Sequence, residues 1–322
     1  MKNNNNRNFI RFFDTIQFIE QPARIGFGED SFYCANSMNS AVVCVCDGCG
    51  GLGARKYETY KSHTGAYIAS RAVSGAIHDW YHDHYDKAWK NSKQLTDSID
   101  KYIRKNFSIC ENYATERLNI KGSLIRKFPT TLAFAYAEAD DNEIVLHVVW
   151  AGDSRVYLMN HEGLAQLTQD DTDVEDALEN IYSDGPLTNV LAADGKYELH
   201  HKTIRISEPA IVFTATDGCF GYISSPMEFE YLILKILTEC ATPGQFKETL
   251  KMQLADYAGD DLALGMMSFF YGSYENTQKA YRSRLNFLQN EYIHIIHANN
   301  YDEKDIRNLW SGYKTSYERY IK

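Results

Sequence analysis

The stretch Ala41-Val-Val-Cys-Val-Cys-Asp-Gly-Cys-Gly-Gly-Leu-Gly53 joins an apolar run to a glycine-rich segment, and the change falls at Asp47-Gly48. The valines favour a β-strand, and the glycines that follow free the backbone for a sharp turn. One carboxylate therefore stands at the end of a buried strand, beside a loop that can bring main-chain carbonyls close. Such a place is suited to hold a cation. We expect the rest of the chain to supply partners for Asp47.

The composition narrows the class of protein. The chain has 322 residues, of which 44% are hydrophobic, and a net charge of -10. This is a folded rather than a disordered composition, and its acidity disfavours partners such as nucleic acid or an anionic membrane. The seven cysteines lack the spacing of a disulfide scaffold and indicate reduced thiols. With no stretch long and apolar enough to span a bilayer, we expect a cytoplasmic protein.

Two acids precede the strand that leads to Asp47. Residues 9–27 alternate imperfectly between apolar and polar, which predicts strands after a flexible polar leader at 1–8. Glu29-Asp30 then opens an apolar stretch that a turn signal at 36–40 joins to the Asp47 strand. Strands joined in this way form an antiparallel pair. Its register would bring Glu29 or Asp30 near Asp47, at the same edge of the sheet.

The rest of the sequence predicts successive helices and short strands. Helices are predicted over 66–80, 95–118, 187–192, 226–240 and 243–257, and strands over 130–137, 144–151, 155–159, 164–167, 204–206, 210–215 and 262–271. Short strands at hairpin spacing indicate antiparallel sheet, and hence an α+β class. Residues 273–322 carry apolar stripes at helical spacing, which predicts a C-terminal helical hairpin packed on the main domain or on a partner.

Acidic residues recur at strand ends and tight turns. They are Glu29, Asp30, Asp47, Asp153, Asp217 and Asp260. The segment ending in Thr216-Asp217-Gly218 repeats the arrangement at Asp47: an apolar strand, an aspartate and a glycine. A set of oxygen ligands without histidine suits Mg²⁺ or Mn²⁺ rather than zinc. If the acids converge, two ions could activate one water and stabilise a phosphoryl group; a single Asp-Gly pair is otherwise commonly a turn.

The order of these motifs closely resembles the metal-dependent protein phosphatases, the type 2C serine/threonine phosphatases in their bacterial form. The motifs are Glu29-Asp30, Asp47-Gly48-Cys49-Gly50-Gly51, Thr130-Thr131, Gly152-Asp153-Ser154-Arg155, Leu167-Thr168, Thr216-Asp217-Gly218 and Asp260-Asp261. The resemblance runs from about residue 20 to 271. It implies a four-layer α-β-β-α sandwich of two antiparallel sheets flanked by helices. We accordingly predict a catalytic domain at 9–272 and a C-terminal helical extension at 273–322.

The resemblance also implies roles for the acids. Asp47 would bridge two ions, with the Gly48 carbonyl and the Glu29-Asp30 pair serving one of them. Asp217 and Asp260 would serve the other ion, and Asp153 with Asp217 a third and weaker one. The implied reaction is hydrolysis of phosphoserine or phosphothreonine by an ion-activated water, attacking in line without a phosphoenzyme. The implied partners are phosphoprotein substrates and an opposing serine/threonine kinase.

Three positions depart from the family pattern. The phosphate-binding arginine usually stands four residues before the acid pair, where this chain has Ile25; the nearest candidate is Arg24. The histidine that often follows Asp-Gly is replaced by Cys49, which leaves the suggested general acid unfilled. Pro129 replaces the usual glycine before the threonine pair, and the flap that follows Thr168 is short.

Other features have simpler alternatives. Cys44 and Cys46 share one face of a strand, which favours packing over metal binding. His78 and His82, at i and i+4, have the spacing of a zinc pair, but a helix end with a mixed surface is the favoured interpretation. The acidic run at 169–179 predicts an exposed loop, and Arg155 an ordinary salt bridge.

Two further functions stay open at this point. One is a catalytically silent phosphatase-fold module that binds phosphoproteins or scaffolds a complex. Such a module would be expected to have lost Asp47, Asp217 or Asp260, and all three are present. The other is a phosphatase of small phosphorylated metabolites.

Overall fold

The computed structural model describes residues 17–114, 127–183 and 185–321. The predicted leader at 1–8 therefore lies outside the described residues. The strands are β1 (Gln17–Gln21), β2 (Ser31–Asn36), β3 (Ser40–Cys46), β4 (Lys56–Tyr57), β5 (His63–Thr64), β6 (Leu132–Asp140), β7 (Glu143–Ala151), β8 (Arg155–Asn160), β9 (Gly163–Gln166), β10 (His200–Ile206), β11 (Ala210–Ala215) and β12 (Leu262–Phe269).

The longer helices are α1 (Gly65–His84), α2 (Ser92–Tyr113), α3 (Pro226–Glu239), α4 (Pro243–Tyr257), α5 (Tyr274–Leu288) and α6 (Glu303–Tyr317). Short helical turns lie at Gly50–Gly53, Glu58–Tyr60, Glu179–Tyr182 and Asp217–Cys219, and α5 continues through Gln289–Ile293 and His294–Ala298. No helix among these residues combines the length and apolar character needed to cross a membrane.

Ten of these strands form two five-stranded antiparallel sheets, and β4 and β5 form a separate two-stranded sheet. Sheet I has the order β1-β12-β11-β8-β9, and sheet II has the order β10-β7-β6-β3-β2. One apolar core lies between the sheets, a second joins sheet II to α1 and α2, and a third joins sheet I to α3, α4 and the C-terminal helices. The layers are therefore helix, sheet, sheet and helix. This confirms the predicted four-layer α+β sandwich.

Strand β3 shows why its sequence is apolar throughout. Ala41, Val43 and Val45 face the core between the sheets, whereas Val42, Cys44 and Cys46 face α1 and α2. A strand covered on both faces has no polar alternation, because successive side chains point to opposite sides. The two cysteines are buried and unpaired, which confirms that they serve packing.

The two sheets approach closely where β3 faces β12. A Cβ atom added at Gly265 of β12 would lie 3.1 Å from the Cβ of Val43. Glycine at this position therefore lets the sheets meet at their present separation.

The pairing of β2 with β3 fixes the relative positions of Asp30 and Asp47, which lie at the end of the pair opposite its turn. Ser31 of β2 is the register partner of Cys46 of β3. Asp30 and Asp47 therefore stand side by side at one edge of sheet II, as the antiparallel hairpin predicted.

Three predicted elements differ from the structure. Residues 187–192 are not helical, because Leu191 exchanges main-chain hydrogen bonds with Thr130 and Thr188 N–H donates to the Asp171 carbonyl. Within 9–27 the described strand ends at Gln21, where Pro22 follows and the chain turns. The helix predicted over 95–118 begins earlier and ends at Tyr113; residues 115–118 lie outside the described part.

The C-terminal helices pack on the main domain. Side chains from both α5 and α6 enter the core beneath sheet I: Tyr281, Leu288, Ile306, Trp310, Tyr313 and Tyr317 are among them. Asp302 caps α6, since its Oδ1 accepts from the N–H groups of Lys304 and Asp305 at 3.0 and 3.2 Å. The predicted hairpin is confirmed, and its apolar stripes face the domain itself.

Candidate functional site

Asp47 is held by its main chain at the end of β3. Its N–H donates to Thr131 Oγ1 at 3.0 Å, and its carbonyl accepts from Thr131 N–H at 2.8 Å and from Thr130 Oγ1 at 2.6 Å. Thr131 Oγ1 also lies 2.6 Å from Ser154 Oγ, beside Asp153. These contacts fix the position of Asp47 through the backbone, without using its carboxylate. The threonine pair thus ties the Asp47 loop to the loop that carries Asp153.

Four of the predicted acids lie near enough to Asp47 to act on its carboxylate. Burial raises the pKa of Asp47 well above its usual range, and the negative charges of Asp30, Asp217, Asp153 and Asp260 raise it further. Four acids drawn from separate loops act on this carboxylate together. Such mutual repulsion is relieved by protons or by cations.

Asp30 joins the two sheets. Its carboxylate is buried and accepts a hydrogen bond of 2.7 Å from Thr216 Oγ1, which follows β11 in sheet I. Burial raises the pKa of Asp30 well above normal; the Thr216 hydrogen bond opposes this, and the charges of Asp217, Asp260 and Asp261 add to it. Thr216 therefore orients one acid of sheet II from sheet I.

Glu29 is positioned by Thr64, Arg71 and Asp261, of which only Asp261 belongs to a motif that the sequence indicated. Thr64 Oγ1 donates to Glu29 Oε1, and the same hydroxyl caps α1 by accepting from Tyr67 N–H at 3.1 Å. The N–H of Glu29 donates to Asp261 Oδ2 at 2.5 Å. Burial raises the pKa of the Glu29 carboxyl, while the Thr64 hydrogen bond lowers it. Arg71 Nη1 donates to the Glu29 carbonyl at 3.0 Å and places a positive charge nearby.

Both Asp-Gly pairs require glycine because the neighbouring backbone leaves no room for a side chain. A Cβ atom at Gly48 would lie 2.7 Å from the Ala66 carbonyl oxygen and 2.8 Å from that of Glu29. At Gly218 it would lie 1.8 Å from the Asp261 carbonyl oxygen. Neither glycine has a positive φ angle. The glycines thus allow the backbone to approach neighbouring loops closely, which brings the acids of those loops together.

Asp153 supplies an oxygen without a partner. Its Oδ1 atom is buried and accepts no hydrogen bond from the described residues. Burial and the charge of Asp217 raise the pKa of Asp153 to about 8. Buried polar atoms are normally hydrogen-bonded, so an unpaired carboxylate oxygen among other acids fits a cation.

The acids near Asp47 come from several separate loops. In the described ranges, no three His, Cys, Asp or Glu side chains are grouped closely enough to hold an ion by themselves. Mg²⁺ keeps several water ligands and commonly binds through only one or two carboxylates. The oxygen donors present fit an ion of that kind, with water completing its coordination.

The acidic loop after β9 is less exposed than its sequence predicted. Asp170 is bound by Arg155, with Nη2 at 2.6 Å from Oδ2, and both side chains are buried. Asp171 Oδ2 accepts from Gly152 N–H at 2.9 Å, next to Asp153. Only some of the run, such as Asp173 and Glu175, is exposed. The prediction of an exposed loop is therefore wrong for the acids that anchor it.

The remaining candidates lie in ordinary surroundings. Arg24 is exposed in a turn, where its guanidinium lies 4.4 Å from the centre of the Phe27 ring. His78 Nδ1 lies 2.9 Å from Asp79 Oδ1 on the surface of α1, with its ring centre 6.2 Å from that of His82. Burial and the charge of Asp47 raise the pKa of the Cys49 thiol well above normal, which makes it a poor nucleophile.

Solved structures show the same fold. The Staphylococcus aureus serine/threonine phosphatase Stp1 matches with a TM-score of 0.56 and 19% identity, over 79% of this chain and 94% of that one. The Mycobacterium tuberculosis serine/threonine phosphatase PstP/Ppp matches with a TM-score of 0.55 and 18% identity, over 79% of this chain and 97% of that one. The PstP catalytic domain in complex with two manganese ions matches with a TM-score of 0.51 and 17% identity, over 79% and 98%.

Sequence comparison places the chain in a family. No curated protein matches it significantly. The model of the protein phosphatase 2C family matches residues 27–256, which is more than half of the chain and includes Glu29, Asp30, Asp47, Asp153 and Asp217. The motif order, the four-layer sandwich and this match agree, and the chain belongs to the protein phosphatase 2C family, whose members are protein phosphatases.

Proposed function

We propose that this protein is a Mn²⁺- or Mg²⁺-dependent protein serine/threonine phosphatase with two ions in its acidic site. The observation that carries the proposal is the proximity of four acids to Asp47, together with an unpaired buried oxygen on Asp153. The solved relative with two manganese ions supports divalent cations as the cofactor. A third, weaker ion beside Asp153 and Asp217 belongs to the same proposal.

Each residue has a distinct part in this proposal. Asp47 would contribute to both ion positions, and the Gly48 carbonyl, Glu29 and Asp30 would hold one ion on the sheet II side. Asp217 and Asp260 would hold the other ion from sheet I. When bound, the ions supply positive charge that activates a water and offsets the charge of the phosphoryl group. Thr64 and Thr216 orient Glu29 and Asp30 by the hydrogen bonds described above.

The proposal also covers the substrates, the phosphate-binding residue and the cellular compartment. Phosphoserine and phosphothreonine proteins are the substrates, opposed by a serine/threonine kinase. Arg24 is proposed to contact the phosphate, since it is the arginine nearest in sequence to the family position. The seven free thiols fit a reducing compartment such as the cytoplasm.

Phosphate release from a phosphothreonine peptide tests the proposal. Turnover should require Mn²⁺, disappear with chelator, and fall at least about a hundredfold in Asp47→Asn and in Asp217→Asn, because each removes charge from the ion site. Asp97→Asn is the matched control, since Asp97 pairs with Lys93 on the exposed side of α2.

Four outcomes contradict the proposal. Turnover without divalent ions, or undiminished in both site variants, excludes the two-ion site. Manganese binding without turnover of any phosphopeptide instead supports a silent phosphoprotein-binding module. A preference for small phosphate esters over every phosphopeptide supports a metabolite phosphatase.

A further inference from the structure

We propose that the C-terminal extension acts as a clamp that fixes the acidic loop 169–183 beside the active site, with Asp176 as its positioning residue. The clamp determines how well a protein substrate binds, while the acids that carry out the hydrolysis stay in place. This inference rests on the proposed phosphatase function. It concerns residues 273–321, all of which lie beyond the part of the chain that matches the family model.

The loop is attached at its start to the segment that carries Asp153. The N–H of Asp171 donates to the Gly152 carbonyl at 3.0 Å, and the N–H of Gly152 donates to Asp171 Oδ2 at 2.9 Å. Asp170 binds the guanidinium of Arg155, whose Nη2 also lies 3.4 Å from the Ala177 carbonyl. The start of the loop is therefore fixed to the residues that flank Asp153, whereas the rest of the loop needs other contacts to hold it.

The middle of the loop is held by α6. Asp176 Oδ2 accepts from Lys314 Nζ at 2.7 Å, and the indole Nε1 of Trp310 lies 3.1 Å from the same oxygen. Asp176 Oδ1 accepts from the N–H groups of Leu178 and Glu179 at 2.9 and 3.1 Å. One carboxylate thus organises the loop backbone and joins it to the extension.

A second contact holds the end of the loop. Arg307 of α6 forms an ion pair with Glu179, and its guanidinium lies 5.1 Å from the centre of the Tyr182 ring. The hydroxyl of Tyr182 donates to the Ser224 carbonyl at 2.9 Å. The loop therefore meets α6 at two successive points, and its end is also tied to the segment before α3.

Helix α6 is itself fixed to the core. Tyr313 donates to the buried Glu230 carboxylate at 2.5 Å, and Tyr317 lies 3.4 Å from Arg155 Nη1 and 3.5 Å from the Tyr157 hydroxyl. Ile306 and Trp310 are buried in the same core. The helix is thus a firm base, and Arg155 contacts the loop and the extension at once.

Asp176 acts through the loop backbone and touches none of the acids of the site. The hydrogen bonds from Lys314 and Trp310 outweigh the effect of burial and lower the pKa of Asp176, so the contact is between charged groups. Removing the clamp should loosen a surface next to the site that a folded or peptide substrate must meet. A small phosphate ester needs no such surface.

The test compares Lys314→Ala and Arg307→Ala, singly and together, with Lys279→Ala as the matched control. Lys279 forms an exposed ion pair with Glu275 in α5 and lies in the same extension. In the double variant, the KM for a phosphothreonine peptide should rise roughly five- to thirtyfold, which corresponds to about 1–2 kcal/mol. Its kcat for p-nitrophenyl phosphate at saturating Mn²⁺ should stay within about twofold of the parent.

Amide hydrogen exchange supplies a readout independent of activity. Exchange in 171–183 should accelerate in the double variant, remain at the parent rate in Lys279→Ala, and return toward that rate in Lys314→Arg, which keeps the charge. A chain that hydrolyses no phosphopeptide refutes the proposed function, and the exchange measurement still decides on the clamp. Unchanged exchange, or faster exchange without a change in KM for the peptide, overturns the clamp proposal.

Discussion

At the scale of single residues, Asp153 links the site to the stability of the fold. Its pKa of about 8 lies above the ordinary value of 3.8. Between those values the native protein without cations keeps a proton that the unfolded chain has released. The free energy of unfolding should therefore fall as pH rises from about 4 to 8 in chelator, and Mn²⁺ should restore it at the upper end.

The variant Asp153→Asn tests whether Asp153 causes this pH dependence. It removes one titrating group, so the fall in melting temperature between pH 5 and pH 8 in chelator should be smaller than in the parent. Asp97→Asn should retain the full dependence, because Asp97 is an exposed residue of α2. Identical pH dependence in Asp153→Asn and the parent would show that Asp153 carries no raised pKa in the native protein.

The acids of the site were easier to predict from the sequence than the residues that orient them. Asp47 and Asp217 each end an apolar run and precede a glycine, which is a local signal. Thr64 and Thr216 give no comparable signal, because threonine is ordinary at a helix start or after a strand. Their contacts with Glu29 and Asp30 exist only once α1 and the two sheets have packed.

At the scale of elements, α1 begins at the site. Thr64→Ala removes the N-cap of α1 and the hydrogen bond to Glu29, so it should cost about 1 kcal/mol of stability and reduce the rise in melting temperature caused by Mn²⁺. Thr242→Ala removes the cap of α4 and should cost about the same amount. It should leave the manganese response unchanged. Equal manganese responses in the two variants, measured by thermal unfolding, would contradict the role of Thr64.

Elements were predictable where the pattern was local. The apolar stripe predicted α1, and alternating runs with turn signals predicted the antiparallel hairpins. The prediction of a helix at residues 187–192 was wrong, because an apolar segment with few helix-breaking residues resembles a helix in sequence. Its main chain instead pairs with Thr130 and Asp171, which are distant in sequence. Such pairing depends on tertiary contacts that short-range patterns do not contain.

At the scale of the whole molecule, the C-terminal extension satisfies a buried charge of the main domain. Glu230 in α3 is fully buried and binds Arg284 of α5 through two contacts of 2.8 Å. Arg284→Met should cost about 3–5 kcal/mol of unfolding free energy, because the carboxylate loses its charged partner. Denaturant unfolding measures this loss.

Two variants check the reason for that loss. Adding Glu230→Gln to Arg284→Met should recover part of the stability, since the unpaired charge is then gone. Arg205→Met, at an exposed ion pair with Asp140, should leave the unfolding midpoint nearly unchanged. If the double variant is no more stable than Arg284→Met, burial of the Glu230 charge is not the cause.

The general architecture was predictable from the sequence. The docking of the C-terminal extension was predictable only in part. The order of the acidic motifs implied the sandwich, and the stripes at 273–322 implied packing. The place of docking depends on Glu230, whose position in a helix resembles that of any exposed glutamate in the sequence. Its burial follows from the arrangement of α3 against α5.

The separation of the two sheets has a consequence at the site. Gly265 in β12 leaves room for Val43 in β3, and a methyl group there would require a neighbour to move by a few tenths of an ångström. Asp30 and Asp47 are carried by one sheet and Asp217 by the other, so the thickness of the apolar layer sets the distances between them. Selection acting on the interior of this sandwich is, for that reason, also selection on the geometry of its carboxylates.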